Sequence, residues 1–303
     1  EDYSALYNIV YCFDMQKQHE EAVKYLISYI EINPYCEVAW HQLGRQHFVL
    51  ESYKEALIAF DYSVLIDESF VGGYLEKAKT LEQLGNFQDA INNYLITIEL
   101  DDPTAYVYIR IGECYEKIAK LDAAVSYYKK AVHEDPFLDK GWILLTNLYF
   151  DQEEYQKAAY YIAKALKIDE DNTLYWRRYS EINLKLSFFE EAVIGFKSCL
   201  NLGDTSPEIY LGLTDVYSFL GEFNDALKML LEAQKMHKEY EEIEYRFVGL
   251  FFILGKEKYA FSHLITAMKL EYEYHLILKE LYPSVFEDVA IQKLLKNYKK
   301  ATE

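Results

Sequence analysis

The chain has 303 residues, more than one globular core ordinarily holds, so several domains or an array of repeats are the options. Hydrophobic residues make up 51% and aromatics 17%, with 30 tyrosines, while five prolines and twelve glycines permit long helices and disfavour a turn-rich β-sandwich. A formal net charge of −19 repels phosphate backbones and anionic lipid, which argues against nucleic-acid and membrane-surface partners, and the longest apolar run, near Val248–Leu254, is far too short to insert in a bilayer.

In chain order, the first feature is a period. An alanine returns every 34 residues at Ala22, Ala56, Ala90, Ala124, Ala158, Ala192, Ala226 and Ala260, with no insertion between them. Blocks of that length open at Tyr3, Glu37, Val71, Ala105, Asp139, Thr173, Pro207 and Glu241, which divides the chain into 3–36, 37–70, 71–104, 105–138, 139–172, 173–206, 207–240 and 241–274. The fourth residue of a block is large and mostly aromatic, as in Trp40, Tyr74, Tyr108, Trp142, Trp176 and Tyr210. The eighth is small or β-branched throughout, and the twenty-fourth is bulky, as in Phe60, Tyr94, Tyr128 and Phe196. Offsets of four, eight and eleven, then twenty, twenty-four and twenty-seven, each follow one face of an α-helix. Each block is therefore two short helices. Asn86, Gly221 and Gly255 mark the turn within a block, and Pro34, Pro103 and Pro136 the joint between blocks. The invariant alanine is expected where the two helices cross most closely, so that leucine at Ala90 overpacks the contact by about 1–3 kcal/mol.

The first block opens on LYNIVYCF (6–13), apolar on more than one side, which leads us to expect that further chain, further repeats or a partner covers it. The four cysteines, Cys12, Cys36, Cys114 and Cys199, show no close pairing and sit in apolar helical surroundings; they read as small buried hydrophobes of a reducing compartment. The frame breaks after residue 274. Pro283 interrupts it, and SVFEDVAIQKLLKNYKK then reads as an amphipathic helix with Ser284 as N-cap and Glu287 completing a capping box. The segment 275–303 is expected to cap the apolar end of the last block.

These residues resemble the tetratricopeptide repeat family: Trp or Tyr, then Leu43-Gly44 or Ile111-Gly112, then Tyr, Ala, Phe or Tyr, Ala and Pro. The fourth block carries the pattern best, with Tyr108, Gly112, Tyr115, Ala124, Tyr128, Ala131 and Pro136, and the eighth departs most, with Glu244 in the aromatic slot. The resemblance covers residues 3–274 and implies an all-α fold, a right-handed α-solenoid of stacked helix-turn-helix hairpins with a C-terminal capping helix. It also implies a concave groove lined by the first helix of each hairpin, with ligand contacts from the second, fifth, sixth, ninth, twelfth and thirteenth block positions.

No HExxH, Walker loop, GxSxG, CxxC or dinucleotide fingerprint occurs, and the seven histidines are dispersed; His41 and His47 are six apart and cannot form an i, i+4 ligand pair. Paired acids such as Glu153-Glu154, Glu190-Glu191 and Glu241-Glu242 stand at helix starts, where they suit the helix dipole. The three tryptophans share the fourth block position and read as core. We therefore expect no enzyme, no metal and no cofactor.

The five arginines, Arg45, Arg110, Arg177, Arg178 and Arg246, all fall on first helices, whereas the lysines are spread over both helices and the tail. Their scarcity fits an AT-rich, bacterial coding bias, but their placement does not follow from it. Two readings are open. Guanidinium forks bind the carboxylates or phosphates of a ligand, or they pair with the chain's own groove acids Glu76, Glu113, Glu181 and Asp215 and stiffen the array. The densest candidate site joins Arg110, Lys140, Asn147, Phe150, Arg177 and Arg178. A second, more aromatic one joins Tyr7, Tyr11, His41, Arg45, Phe48 and Lys79. Both suit an extended protein or peptide segment with acidic groups and an apolar anchor. The two-carboxylate clamp of chaperone-binding relatives is not met, because Ile143 stands where its lysine belongs beside Asn147, and Lys140 is followed by Leu144. The expected function is a non-catalytic, cytoplasmic protein-binding scaffold. A substrate-docking region of a larger enzyme or assembly machine and an architectural oligomerising solenoid are the alternatives, with oligomeric state and a removed targeting peptide left open.

Overall fold

The computed structural model describes residues 3–302, with side chains through Lys300, and among these every regular element is helical. The chain forms two compact units, one ending at Leu148 and the other beginning at Tyr149. The first unit holds α1 (Ser4–Met15), α2 (His19–Ile32), α3 (Glu37–Val49), α4 (Tyr53–Ile66), α5 (Val71–Gln83), α6 (Phe87–Leu100), α7 (Ala105–Lys117), α8 (Leu121–Glu134) and most of α9 (Asp139–Asp151). The second continues with α10 (Tyr155–Ile168), α11 (Thr173–Lys185), α12 (Phe189–Asn201), α13 (Pro207–Phe219), α14 (Phe223–Met236), α15 (Glu241–Ile253) and α16 (Glu257–Leu270). A 3-10 turn at Glu273–Leu276, α17 (Ile277–Leu281), α18 (Pro283–Phe286) and α19 (Val289–Thr302) follow. Within each unit, successive helices pack as hairpins, and each hairpin packs on the next along the chain.

The periodic residues divide the packing between them. All eight period alanines are fully buried. In the first unit, a Cβ placed on Gly44 would stand 2.5 Å from the Phe60 ring, and one on Gly112 would meet Tyr128. The small eighth residue and the bulky twenty-fourth thus fit one another within a single hairpin. Between hairpins the pairing differs: Gly73 faces Val64, and Gly141 faces Val132, across the joint. The tryptophans are half-buried, Trp40 and Trp176 packing against the core clusters from their edges. Each donates its indole N–H across a joint, Trp40 to the Pro34 carbonyl (2.9 Å), Trp142 to Pro136 (2.9 Å) and Trp176 to Glu170 (2.7 Å). They tie one hairpin to the next.

The turns inside the hairpins share one geometry. The residue just after each first helix, Lys17, Glu51, Gly85, Ala119, Glu153, Ser187, Gly221 or Gly255, has φ between 55° and 78°. The next amide bonds back to a carbonyl five residues earlier, as Asn86 does to Leu81 at 2.8 Å. This is a Schellman closure. Asn86 is therefore not the turn residue in the left-handed region; Gly85 is, and Asn86 leads into α6. Five of the eight turns adopt that backbone without glycine, so glycine alone could not have located them.

Two further expectations change. Cys36, Cys114 and Cys199 are buried, but Cys12 is exposed, and Cys36 precedes α3 instead of lying within a helix. Ser284 does not cap the last helix. The chain breaks after Phe286, and Asp288 caps α19 instead, its Oδ1 accepting from the amides of Ala290 (2.8 Å) and Ile291 (3.1 Å). Glu244, the departure in the eighth block, stays buried and in place because Gln234 donates to it at 3.0 Å and the His263 ring sits 2.6 Å from its other oxygen.

The tail wraps α15. Residues 243–250 are buried without a break. Tyr282 lies over Gly249, where a Cβ would collide with its ring, and the Tyr245 hydroxyl donates to the carbonyl of Glu271 at 3.0 Å. Ile291 and Leu295 of α19 are buried, and the Tyr272 hydroxyl donates to Leu295 at 3.3 Å.

Candidate functional site

The aromatic candidate site lies wholly in the first unit. Its residues come from three first helices: Tyr7 and Tyr11 from α1, His41, Arg45 and Phe48 from α3, and Lys79 from α5. Tyr7 and Tyr11 are exposed, Tyr11 by 62%. Leu6 and Val10, one turn away on α1, are buried, so the apolar start at 6–13 is half absorbed by the core. Its other side, with Ile9, Cys12 and Phe13, lines a shallow open groove. Arg45 is exposed and donates to the neutral Gln42 Oε1 at 3.2 Å, and no carboxylate of the described residues lies within bridging distance. It stands near enough to Tyr7 to oppose the upward pKa shift that burial and Glu37 impose on that phenol.

His41 is the unusual member. Its ring is packed against Phe60 and edge-on to Phe70, with centroids 5.7 and 5.1 Å away, and neither nitrogen makes a well-formed hydrogen bond. Burial pushes its pKa down to about 4, which Glu76 and the Gly72 backbone only partly oppose, while Arg45 and Lys79 add to the shift. His41 is therefore neutral at physiological pH and serves as a flat apolar wall. Phe48 turns toward its own hairpin and meets Tyr53 edge-to-face at 5.3 Å. Lys79 reaches Glu76 at 2.8 Å and lies 5.6 Å over the Tyr106 ring.

The members of the denser candidate site are divided between the units. In the first unit, Arg110 forks onto Glu82 and also bonds Glu113 at 2.7 Å, and Lys140 joins Glu113 at 2.8 Å. Glu82 in turn accepts from the Tyr94 hydroxyl at 2.5 Å, and Glu116 accepts from Tyr128. The buried Oδ1 of Asn147 has no hydrogen-bond partner. In the second unit, Arg178 bonds Glu181 at 2.9 Å and stacks 4.6 Å over Phe150, and Arg177 lies 3.6 Å from Glu181 and 3.7 Å from Glu208. Arg246 is buried and forks onto Asp215.

Among the described residues four of the five arginines are thus satisfied by the chain's own acids, and Arg45 is not. Glu113, Glu181 and Asp215 take the guanidinium partners the sequence allowed. Glu76 takes a lysine instead, and Glu82, Glu208 and Glu242 were missed. A signal for Glu82 existed. Arg110, Arg178 and Arg246 stand 68 residues apart, at the sixth position of alternate blocks, and each reaches back to a ninth or twelfth residue of the preceding block. The family's contact positions across the eight blocks hold ten acids and nine lysines or arginines, against 50 and 31 in the chain. The surplus of negative charge therefore lies on other faces.

Among the described residues no group of three or more His, Cys, Asp or Glu side chains is arranged to hold a metal, and no helix is long and apolar enough to cross a membrane.

Tetratricopeptide repeat family models match residues 4–34 and 75–139. The chain is 26% identical over 249 residues to the TPR repeat-containing protein MJ1428 of Methanocaldococcus jannaschii, covering 79% of this chain and 39% of that protein. It is 24% identical over 149 residues to the general transcriptional corepressor trfA of Dictyostelium discoideum, covering 48% and 11%. The chain thus matches only a minor part of these relatives' length. Among solved structures, the C-terminal part of a TPR repeat-containing protein from Cytophaga hutchinsonii superposes with a TM-score of 0.67 at 12% identity, covering 76% of this chain and 95% of that one. YrrB, described as a TPR protein with an unusual peptide-binding site, gives 0.51 at 12% identity, covering 60% and 94%. At such identities the superpositions establish the fold alone. The chain thus carries tetratricopeptide repeats at 4–34 and 75–139 and has the fold of tetratricopeptide repeat solenoids, which supports a protein-interaction scaffold in general terms.

Proposed function

We propose that the protein holds an extended peptide segment of a partner against the first-helix faces of its hairpins, and that the aromatic cluster of the first unit makes the principal contacts. On this reading residues 3–274 are eight repeats, with 275–303 as a cap, in a reducing, cytoplasmic setting. The observation that carries it is the contrast among the arginines. Arg110, Arg177, Arg178 and Arg246 are engaged by acids of the chain, whereas Arg45 is exposed, has among the described residues only a neutral partner and stands near exposed Tyr7. A guanidinium that no described carboxylate pairs, near the Tyr7 phenol and on the same set of hairpins as exposed Tyr11, suits an acidic side chain or chain terminus next to an apolar anchor. Arg110, Lys140 and Asn147 in the first unit, and Phe150, Arg177 and Arg178 in the second, then act as secondary contacts, each set within its own unit, that a ligand reaches only by competing with Glu82, Glu113 and Glu181.

Selection of random displayed peptides against the whole chain tests this. Selected peptides are expected to lose at least tenfold in affinity on Arg45→Ala or Tyr11→Ala and far less on Arg177→Ala. Peptides that bind all three variants as they bind the parent protein would remove the aromatic cluster from the function.

A further inference from the structure

One apolar surface of the first unit, away from the family's contact positions, is left exposed among the described residues. On α4, Ile58, Tyr62 and Leu65 fall at i, i+4 and i+7, on one helical face, and Leu65 is 71% exposed. Tyr62 extends that face onto α3, where its ring stacks on Trp40 with centroids 4.5 Å apart. The Trp40 indole holds the Pro34 carbonyl, and the joint that it fixes carries Ile32 and Tyr35, the latter 85% exposed. Single exposed apolar residues are ordinary on a protein surface, but a connected set of large ones marks a place where another chain sits.

The rim of this patch is mainly acidic. Stretches 31–35 and 58–68 contribute Glu31, Asp61, Asp67 and Glu68, against Lys54 one turn before Ile58 on α4 and Lys77 on α5. Among the described residues Asp61 alone of these acids is paired with a cation, Lys77 at 2.7 Å. A second copy of this chain would bring acids against acids on a molecule of net charge −19, and an anionic lipid surface is repelled for the same reason.

We infer that this patch docks an amphipathic helical segment of a partner protein, with its apolar stripe on Ile58, Tyr62 and Leu65 and lysines or arginines at its margins reaching Glu31 and Glu68. Tyr62 and Trp40 supply the rigid aromatic anchor that interface cores favour, and the acids supply orientation and a faster encounter. The surface is distinct from the Arg45 cluster, so a partner could engage both at once, and the inference stands apart from the proposed peptide site.

The test uses a fluorescent 18-residue synthetic helix with leucines along one face and lysines on both flanks, a scrambled peptide of the same composition, and the whole chain. The helix is expected to bind at least tenfold tighter than the scramble. Ile58→Ser with Leu65→Ser, both at exposed positions, brings it to the level of the scramble without lowering the melting temperature. Glu31→Lys with Glu68→Lys weakens it at least fivefold, and Arg45→Ala leaves it unchanged. Equal affinity for helix and scramble, or equal affinity of the parent and the Ile58/Leu65 variant, overturns the inference. So does a sedimentation coefficient that rises with concentration in the parent but not in that variant, since a second copy would then be the occupant.

Discussion

Arg246 donates from Nε and Nη2 to the two carboxylate oxygens of Asp215, both at 2.8 Å, joining the first helices of adjacent hairpins in the second unit. Nη1 also bonds Glu242 at 3.1 Å, and the guanidinium is 6% exposed. Removing one partner of a buried pair leaves an uncompensated charge, which costs about 3–5 kcal/mol, whereas replacing both by apolar groups is often neutral. Arg246→Ala is therefore expected to lower the urea midpoint sharply, and Arg246→Met with Asp215→Leu to recover most of the loss. A double-mutant cycle with no coupling would mean that the pair contributes nothing to the stacking.

Arg110 and Arg45 make a matched comparison in the first unit. Arg110→Ala strands Glu82, whose side chain is only 8% exposed, and should destabilise by about 1–3 kcal/mol, the value of a charge-assisted hydrogen bond. Arg45→Ala removes an exposed side chain that no acid among the described residues pairs, and should stay within about 0.5 kcal/mol of the parent. Equal melting shifts for the two would contradict the division between strut and binding group.

The sequence made this division hard to see for a physical reason. The 34-residue period exposes everything that depends on local periodicity: the helix faces, the buried alanines and the repeat fold, because each position repeats the same steric demand eight times. Which acid an arginine meets depends instead on side chains from neighbouring blocks converging, and Glu82 sits 28 residues before Arg110 with nothing in its own block to distinguish it from Glu116. The cap of α19 was misjudged similarly. Ser284 and Glu287 satisfy the spacing of a capping box, but Pro283 starts a separate short helix, and Asp288 is the acceptor that the structure uses. Tyr62 gave no warning that it would stack on Trp40, since that contact crosses from one helix of the hairpin to the other.

The common left-handed turn provides a test free of packing. Nothing stands within 4 Å of a Cβ built on Gly85, so Gly85→Ala changes only backbone preference, with φ at 78°. The expected cost is about 1 kcal/mol. Ala119, with φ 57° in the equivalent turn, should gain a smaller amount on replacement by glycine, because the greater freedom of the unfolded chain offsets part of the relief. Gly44→Ala, where the added methyl meets Phe60 at 2.5 Å, should cost more than Gly85→Ala despite its favourable helix propensity. Chemical denaturation of the three variants ranks them, and a Gly44 variant as stable as the parent would contradict the close fit proposed between helices.

His41 should make the protein acid-sensitive in a defined window. Its folded pKa is about 4, against 6.5 for the free side chain. Above pH 6.5 both states are neutral and nothing is lost. Between 6.5 and 4 the unfolded chain takes up a proton that the folded chain refuses, so stability falls as pH falls, by about 2 kcal/mol at pH 5 from this residue. Below pH 4 both states are protonated and the contribution levels off. His41→Phe removes the titration while keeping an aromatic wall against Phe60 and Phe70. Urea midpoints of parent and variant should differ more at pH 5 than at pH 7.5, with the parent showing the steeper loss. Parallel curves would place the acid sensitivity elsewhere and would mean that the imidazole is hydrated in solution, which its packing between two phenyl rings argues against.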